Sequence, residues 1–323
     1  MMRARVCAAL AAAFVVAALA AGCSSGASGS GASGASGSSD SGASASDVAA
    51  LQQTTVNDTP RSASTESEEN SQLKEQLSAV AQRYSGTYSV VCQAADGSWK
   101  GSFDGSDRHV AASMIKLAVM GALFDQESKG AVNLSDSVTL QASDIVGGTG
   151  VIGSQGAGST WTYHELLEHM IQDSDNTATN VLIDKLGMST VNTWASSFGL
   201  KETQLNRQMM DLDSGVENYM SAEDAAKILK AIWNGNFVSA SASKDALAIL
   251  EGQNETTGLE TGLPAGATFA HKTGTLDNVL NDGGIVETSK PFIIVVMASE
   301  VSSSEATQAM QEFAQVVSDF AAS

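Results

Sequence analysis

The chain has 323 residues, a formal net charge of −19, 43% hydrophobic residues and three cysteines. So large an acidic excess argues against nucleic-acid binding and against adhesion to acidic lipid through a basic patch, and it favours solubility. The length suffices for one compact domain with a substantial core, and no internal repeat is visible.

The first element is a leader. Arg3 and Arg5 precede an apolar run over residues 6–21 that ends Leu19-Ala20-Ala21-Gly22-Cys23. This reads as a signal peptide over residues 1–22 with a lipobox-like ending, its leucine one place earlier than usual; the apolar core is short for a spanning helix. Lipidation is therefore expected at Cys23, with cleavage by an ordinary signal peptidase as the alternative. Once Cys7 leaves with the leader and Cys23 is acylated, only Cys92 remains, so no disulfide framework forms and Cys92 reads as a buried strand residue.

Residues 23–70 are expected to be a flexible tether, nearly all Ser, Gly and Ala to about residue 46 and polar thereafter. Such a coil holds its domain on the order of 40 Å from its anchor. The folded domain is expected over residues 71–323. It opens with a helix whose Leu73, Leu77, Val80 and Tyr84 form one apolar stripe. A β-hairpin follows, residues 88–94 and 99–103 joined by the turn Asp96-Gly97.

Residues 114–124 are apolar on every side of a helix, which marks a buried one. Lys116 is the anomaly within it. Ser113 and Lys116, three apart, share a helical face, so the amine can reach the hydroxyl, and burial lowers a lysine pKa until the amine serves as a base. The plainer alternative is a capping serine with a lysine snorkelling to solvent. The same S-x-x-K pattern recurs at Ser71 and Lys74 and at Ser241 and Lys244. Next along the chain, Gly147-Gly148-Thr149-Gly150 lacks the following lysine of a phosphate loop and reads as a turn beside a cleft.

A helix is expected over residues 161–172. Its His164-Glu165-Leu166-Leu167-Glu168-His169 fits neither H-E-x-x-H nor H-x-x-E-H, so no metal site is expected. Ser174-Asp175-Asn176 then forms an interhelical turn before a helix through Val181, Leu182 and Leu186; by itself it is also ordinary turn and N-cap composition. Lys272-Thr273-Gly274 lies in a β-rich stretch with residues 268–271 before it and 285–286 and 292–297 after it. Alone, it could be any strand ending in a turn glycine. A helix over residues 305–320 closes the chain.

S-x-x-K, S-D-N and K-T-G, in this order and on these element types, resemble the signature of class A β-lactamases and related penicillin-recognising serine hydrolases. The resemblance runs from about Glu66 to the C-terminus. It implies an α/β (α+β) fold in which an antiparallel sheet flanked by helices joins an all-helical subdomain. It also implies an acyl-enzyme mechanism: Ser113 as nucleophile, Lys116 as base or proton relay, and Ser174 passing a proton to the departing nitrogen. Asn176 would hold the substrate amide, while Lys272, Thr273 and Thr275, on the strand carrying Gly274, would bind the substrate carboxylate. The backbone N–H groups of Ser113 and Thr275 would form the oxyanion hole.

Two departures from the family bear on function. Its loop R-x-E-x-x-L-N has its counterpart in Arg207-Gln208-Met209-Met210-Asp211-Leu212-Asp213, where Met209 replaces the deacylating glutamate and Asp213 falls at the family's asparagine. Deacylation then needs Asp211 or Asp213 as a substitute. The family's supporting arginine is also absent, since Asn281, Asp282 and Gly283 occupy that region. The expected activity is hydrolysis of the β-lactam amide, slowed at the release step. The alternatives are a cell-wall D,D-peptidase or esterase, and a penicillin-binding or sensor lipoprotein that does not turn over. No cofactor is expected. The expected partners are a β-lactam or cell-wall peptide and the membrane through the lipid anchor, with the protein a monomer outside the cytoplasm.

Overall fold

The computed structural model describes residues 63–323, with side chains from residue 71. The leader, Cys23 and most of the expected tether lie outside the described residues. In chain order the elements are α1 (Ala63–Ala81), β1 (Thr87–Ala94), β2 (Lys100–Phe103), β3 (His109–Val110), α2 (Lys116–Ser128), β4 (Ser137–Thr139), β5 (Thr160–Thr162), α3 (Tyr163–Gln172) and α4 (Asn176–Leu186). There follow α5 (Met188–Phe198), β6 (Tyr219–Met220), α6 (Ala222–Trp233), α7 (Ala240–Glu251), β7 (Thr268–Leu276), β8 (Val279–Glu287), β9 (Phe292–Ser299) and α8 (Ser303–Ala322).

Five strands form one antiparallel sheet in the order β2-β1-β9-β8-β7. The central strand β9 explains why the sheet is covered on both faces. Its Phe292, Ile294, Val296 and Ala298 enter one core with Leu73, Leu77 and Val80 of α1 and Phe313 and Val317 of α8. The intervening Ile293, Val295 and Met297 enter the other, with α2, α6 and the helical subdomain. A period of two thus divides one apolar strand between two cores. Cys92 is a buried, free thiol of β1.

The second core centres on α2, in which every residue from Lys116 to Phe124 is buried. Trp194 of α5 stacks on Phe198 and meets Phe237 edge-on. A Cβ at Gly121 would lie 2.1 Å from the Trp194 ring, so α2 and α5 approach this closely only because position 121 carries none.

Three expectations shift at their edges. Helix α1 begins at Ala63, inside the expected tether, and ends at Ala81, so Tyr84 follows it in a turn and bonds to Glu312. Helix α3 starts at Tyr163 rather than residue 161. Thr162 and Glu165 form a reciprocal cap there, and Trp161 pairs with Val138 in a two-stranded ribbon. Ser113 precedes α2 in a 3₁₀ turn, Ala112–Ile115, and Lys116 is the first α-helical residue. The 3₁₀ geometry eclipses residues three apart, so it keeps the Ser113 to Lys116 spacing on one face by a different route.

Candidate active site

The three motifs and the Arg207 loop meet at one cleft of about 210 Å³, lined by Ser113, Ser174, Asn176, Met209, Glu255 and Thr275 among others. Ser113 is held at its wall by strain and by strand contact. Ala112 has φ 46°, a left-handed conformation that costs a non-glycine residue about 1–3 kcal/mol and persists only where its surroundings fix it. Asn281 of β8 supplies part of that fixing. Its amide donates to the carbonyls of Val110 and Ala111 at 2.9 and 3.2 Å, while its Oδ1 accepts from Ala298 N–H at 3.0 Å. Gly274 lies mid-strand in β7 rather than in a turn. A Cβ there would sit 2.8 Å from Ala111 O and 3.1 Å from Met114 N, so the glycine lets β7 close against the Ser113 turn.

Two buried lysines flank Ser174. Lys116 Nζ donates to Ser174 O at 2.7 Å, Ser174 Oγ at 3.2 Å and Asn176 Oδ1 at 3.1 Å. Lys272 Nζ donates to the same Ser174 Oγ at 3.2 Å and to Thr273 O at 3.0 Å. Burial, and then the Lys272 charge, hold the Lys116 amine well below the ordinary lysine range, with Glu255 and Asp175 opposing. Burial lowers Lys272 to about 8 against the pull of Glu255 and Asp282. The snorkelling alternative for Lys116 is therefore set aside, since both ammonium ends are inside the protein. The other two S-x-x-K patterns fall on α1 and α7, and neither pair lines the cleft.

Ser174 has φ 51° and Asp175 caps α4, accepting from Ala178 N–H at 2.8 Å. The second Asp175 oxygen accepts from Val151 and Ile152 N–H at 2.6 and 2.8 Å. Asp175 thus ties the 147–150 turn to α4, and Asn176 adds a bond to Gly147 O at 3.1 Å. The ordinary capping role and the place in the motif coexist in these residues. Thr275 lines the cleft at the exposed end of β7.

The Arg207 loop supplies the remaining side. Met209 is 7% exposed and clamped by Asn180, whose Oδ1 accepts from Met209 N–H at 2.8 Å and whose amide donates to Met209 O at 3.0 Å. Arg207 bonds Glu217 at 2.7 Å and Asn218 bonds back to the Arg207 backbone, closing the loop at its neck. Asp211 and Asp213 are exposed on the loop, and neither lines the cleft; Met209, Met210, Leu212 and Glu217 do. The structure therefore does not bring the two expected substitute carboxylates to Ser113. Met210, with φ 66°, is the third left-handed non-glycine residue at this cleft.

Asn180, Glu217 and Glu255 belong to this site and were not singled out from the sequence; Asn281 was noted there only as standing in the region of the family's absent arginine, not for its bonds to the Ser113 turn. The one signal for Glu217 is an arginine at a loop start in a cation-poor chain, which calls for an acid at the loop end. Among the described residues no group of His, Cys, Asp and Glu is placed to hold a metal ion. His164 instead bonds Asp245 at 3.1 Å and His169 bonds Asp173 at 2.7 Å.

The sheet order, the helical subdomain and a cleft between S-x-x-K, S-D-N and K-T-G define the architecture of penicillin-recognising serine hydrolases. The family model described as the β-lactamase enzyme family matches residues 72–321, and the chain belongs to that family. It is 25% identical over 255 residues to the extended-spectrum β-lactamase PER-1 of Pseudomonas aeruginosa, covering 73% of this chain and 82% of the relative. A β-lactamase of Proteus vulgaris is 26% identical over 238 residues, covering 70% and 87%. Among solved structures, PBP-A superposes with a TM-score of 0.72 at 27% identity, covering 77% of this chain and 95% of the other. A PBP-A mutant in an acyl-enzyme complex with penicillin G superposes at 0.73 and 27%, covering 77% and 96%. The β-lactamase of Sphaerobacter thermophilus does so at 0.70 and 28%, covering 76% and 95%.

Proposed function

We propose that this chain is an active-site serine hydrolase acylated at Ser113 by β-lactams, which opens the β-lactam amide and releases the product slowly. The observation that carries the reading is the pairing of two buried lysines, both bonded to Ser174 Oγ at the cleft that Ser113 lines, with an apolar residue, Met209, on the loop lining the same cleft. Burial eases loss of one Lys116 proton, and with it one of the three donated bonds; the freed lone pair then takes the Ser113 proton as Oγ attacks the carbonyl carbon. The resulting oxyanion is held by the Ser113 and Thr275 N–H groups. The C–N bond then breaks, and the proton returns through Ser174 Oγ, which is bonded to both lysines, to the leaving nitrogen. Water must next attack the acyl-serine ester. Methionine cannot take its proton, and general-base help is typically worth roughly 10² to 10⁴ in rate.

A chromogenic cephalosporin should therefore give a burst matching the enzyme concentration and then slow turnover, whereas fast linear hydrolysis without a burst would refute the reading. The likeness to PBP-A, one mutant of which is an acyl-enzyme complex with penicillin G, keeps a second reading beside it, a cell-wall D,D-peptidase or esterase, or a penicillin-binding protein that does not turn over.

The leader sequence supports a lipid anchor at Cys23, a tethered domain outside the cytoplasm and a monomeric enzyme. Stable anchoring takes more than one acyl chain. Wild-type protein should sediment with membranes while Cys23→Ser stays soluble or unprocessed; an unmodified N-terminus in soluble wild-type protein would rule the anchor out.

A further inference from the structure

Glu255 is an acid in a place the substrate carboxylate is expected to occupy. It precedes β7 in the chain, lines the cleft with Ser113 and Thr275, and accepts a short hydrogen bond from the Thr273 hydroxyl. That hydroxyl has one proton, so while it donates to Glu255 it has none for a substrate carboxylate. Lys272 is occupied too: its three N–H groups donate to Ser174 Oγ, Thr273 O and Thr273 Oγ1, and its side chain is fully buried. Arg207, the cation among the cleft-lining residues, is already paired with Glu217. A free carboxylate entering here would meet the Glu255 carboxylate that lines the cleft, and like charges in a partly desolvated cleft repel.

The donors and acceptors that remain suit a different group. The Thr275 hydroxyl offers a donor, and Glu255 offers an acceptor in the same cleft. A carboxamide presents both a C=O and an N–H₂, whereas a carboxylate presents acceptors alone. We propose that Glu255 is the specificity-determining residue of this site, selecting acyl donors that carry an uncharged carboxamide where the family binds a free carboxylate. This rests on the serine-hydrolase reading above. It implies natural substrates cleaved within a peptide or beside an amidated end rather than next to a free C-terminal carboxylate.

The test compares the second-order rate of Ser113 acylation by benzylpenicillin and by its carboxamide derivative, followed by intact-protein mass spectrometry, in wild type, Glu255→Gln and Glu255→Ala. Wild type should prefer the carboxamide; both substitutions should raise the rate with benzylpenicillin roughly tenfold or more, and Glu255→Ala, which removes the acceptor, should also lower the rate with the carboxamide; tenfold corresponds to about 1.4 kcal/mol. Acylation with a ratio that is the same in all three proteins, or a wild type that favours the free acid, would overturn the role of Glu255 while leaving the hydrolase reading intact. No adduct with either compound in any of the three would overturn both.

Discussion

On one side of the cleft Lys116, Ser174 and Lys272 are buried and bonded to one another, whereas the loop from Arg207 to Asn218 presents Met209, Met210 and Leu212 to the same space. The first side sinks two lysine side chains into the protein, an arrangement that stability alone disfavours because each charged amine loses its hydration. The second is held as firmly at its backbone, by Asn180 and by the Arg207 to Glu217 pair, yet its buried side chain is apolar. Firm placement is common to both, so the difference lies in chemistry. One side holds the amines and hydroxyls that the proposed acylation needs, and the other presents a methionine where the family has its glutamate, its cleft-lining carboxylate Glu217 being held by Arg207.

Restoring an acid is the strongest way to break that contrast. In Met209→Glu the Asn180 clamp would hold the new carboxylate at the cleft, and the steady-state rate with a chromogenic cephalosporin should rise about 10²-fold with the burst unchanged. An unchanged rate would show that position 209 is not where water is activated.

The buried lysines predict a pH effect of known sign. Lys272 titrates at about 8 when folded and near 10.5 when unfolded, so between those values the unfolded chain binds more protons and stability rises with pH; below about 8 both states are protonated and this contribution is constant. The full span corresponds to about 3 kcal/mol. Urea midpoints at pH 7.5 and 10 should thus rise more in wild type than in Lys272→Met. Equal changes in the two proteins would contradict a depressed Lys272.

The smallest expected effect sharpens the loop side. Because Asp211 and Asp213 are exposed and off the cleft, Asp211→Asn and Asp213→Asn should leave both burst and turnover within about twofold of wild type, with surface substitutions costing at most about 0.5 kcal/mol. A tenfold slower release in either would place a working carboxylate on this loop.

Much of this was legible in the sequence, for reasons that also mark where legibility ends. The fold class followed from the family resemblance that the three motifs carry, while individual helices and strands were read from alternation and helical spacing, which are local properties of the chain. The cleft residues of the three motifs could be named because each sits in a run of three or four. The role of Asn281 could not, since its partners Val110 and Ala111 lie 171 and 170 residues away. Asn180 clamps Met209 across 29 residues, and Glu255 meets Thr273 across 18. The 3₁₀ turn at Ser113 was hidden because Ala112, an alanine, takes a left-handed φ that sequence assigns to glycine.

The central claim is that acylation at Ser113 outruns release, and a mass-spectrometric time course with penicillin tests it directly. Within the first turnovers the protein should gain the mass of one intact penicillin, mapping to the peptide that contains Ser113, and the adduct should persist long after free penicillin is removed. An unmodified protein throughout, with penicillin either untouched or rapidly hydrolysed, or an adduct that maps to any other residue, would contradict the account.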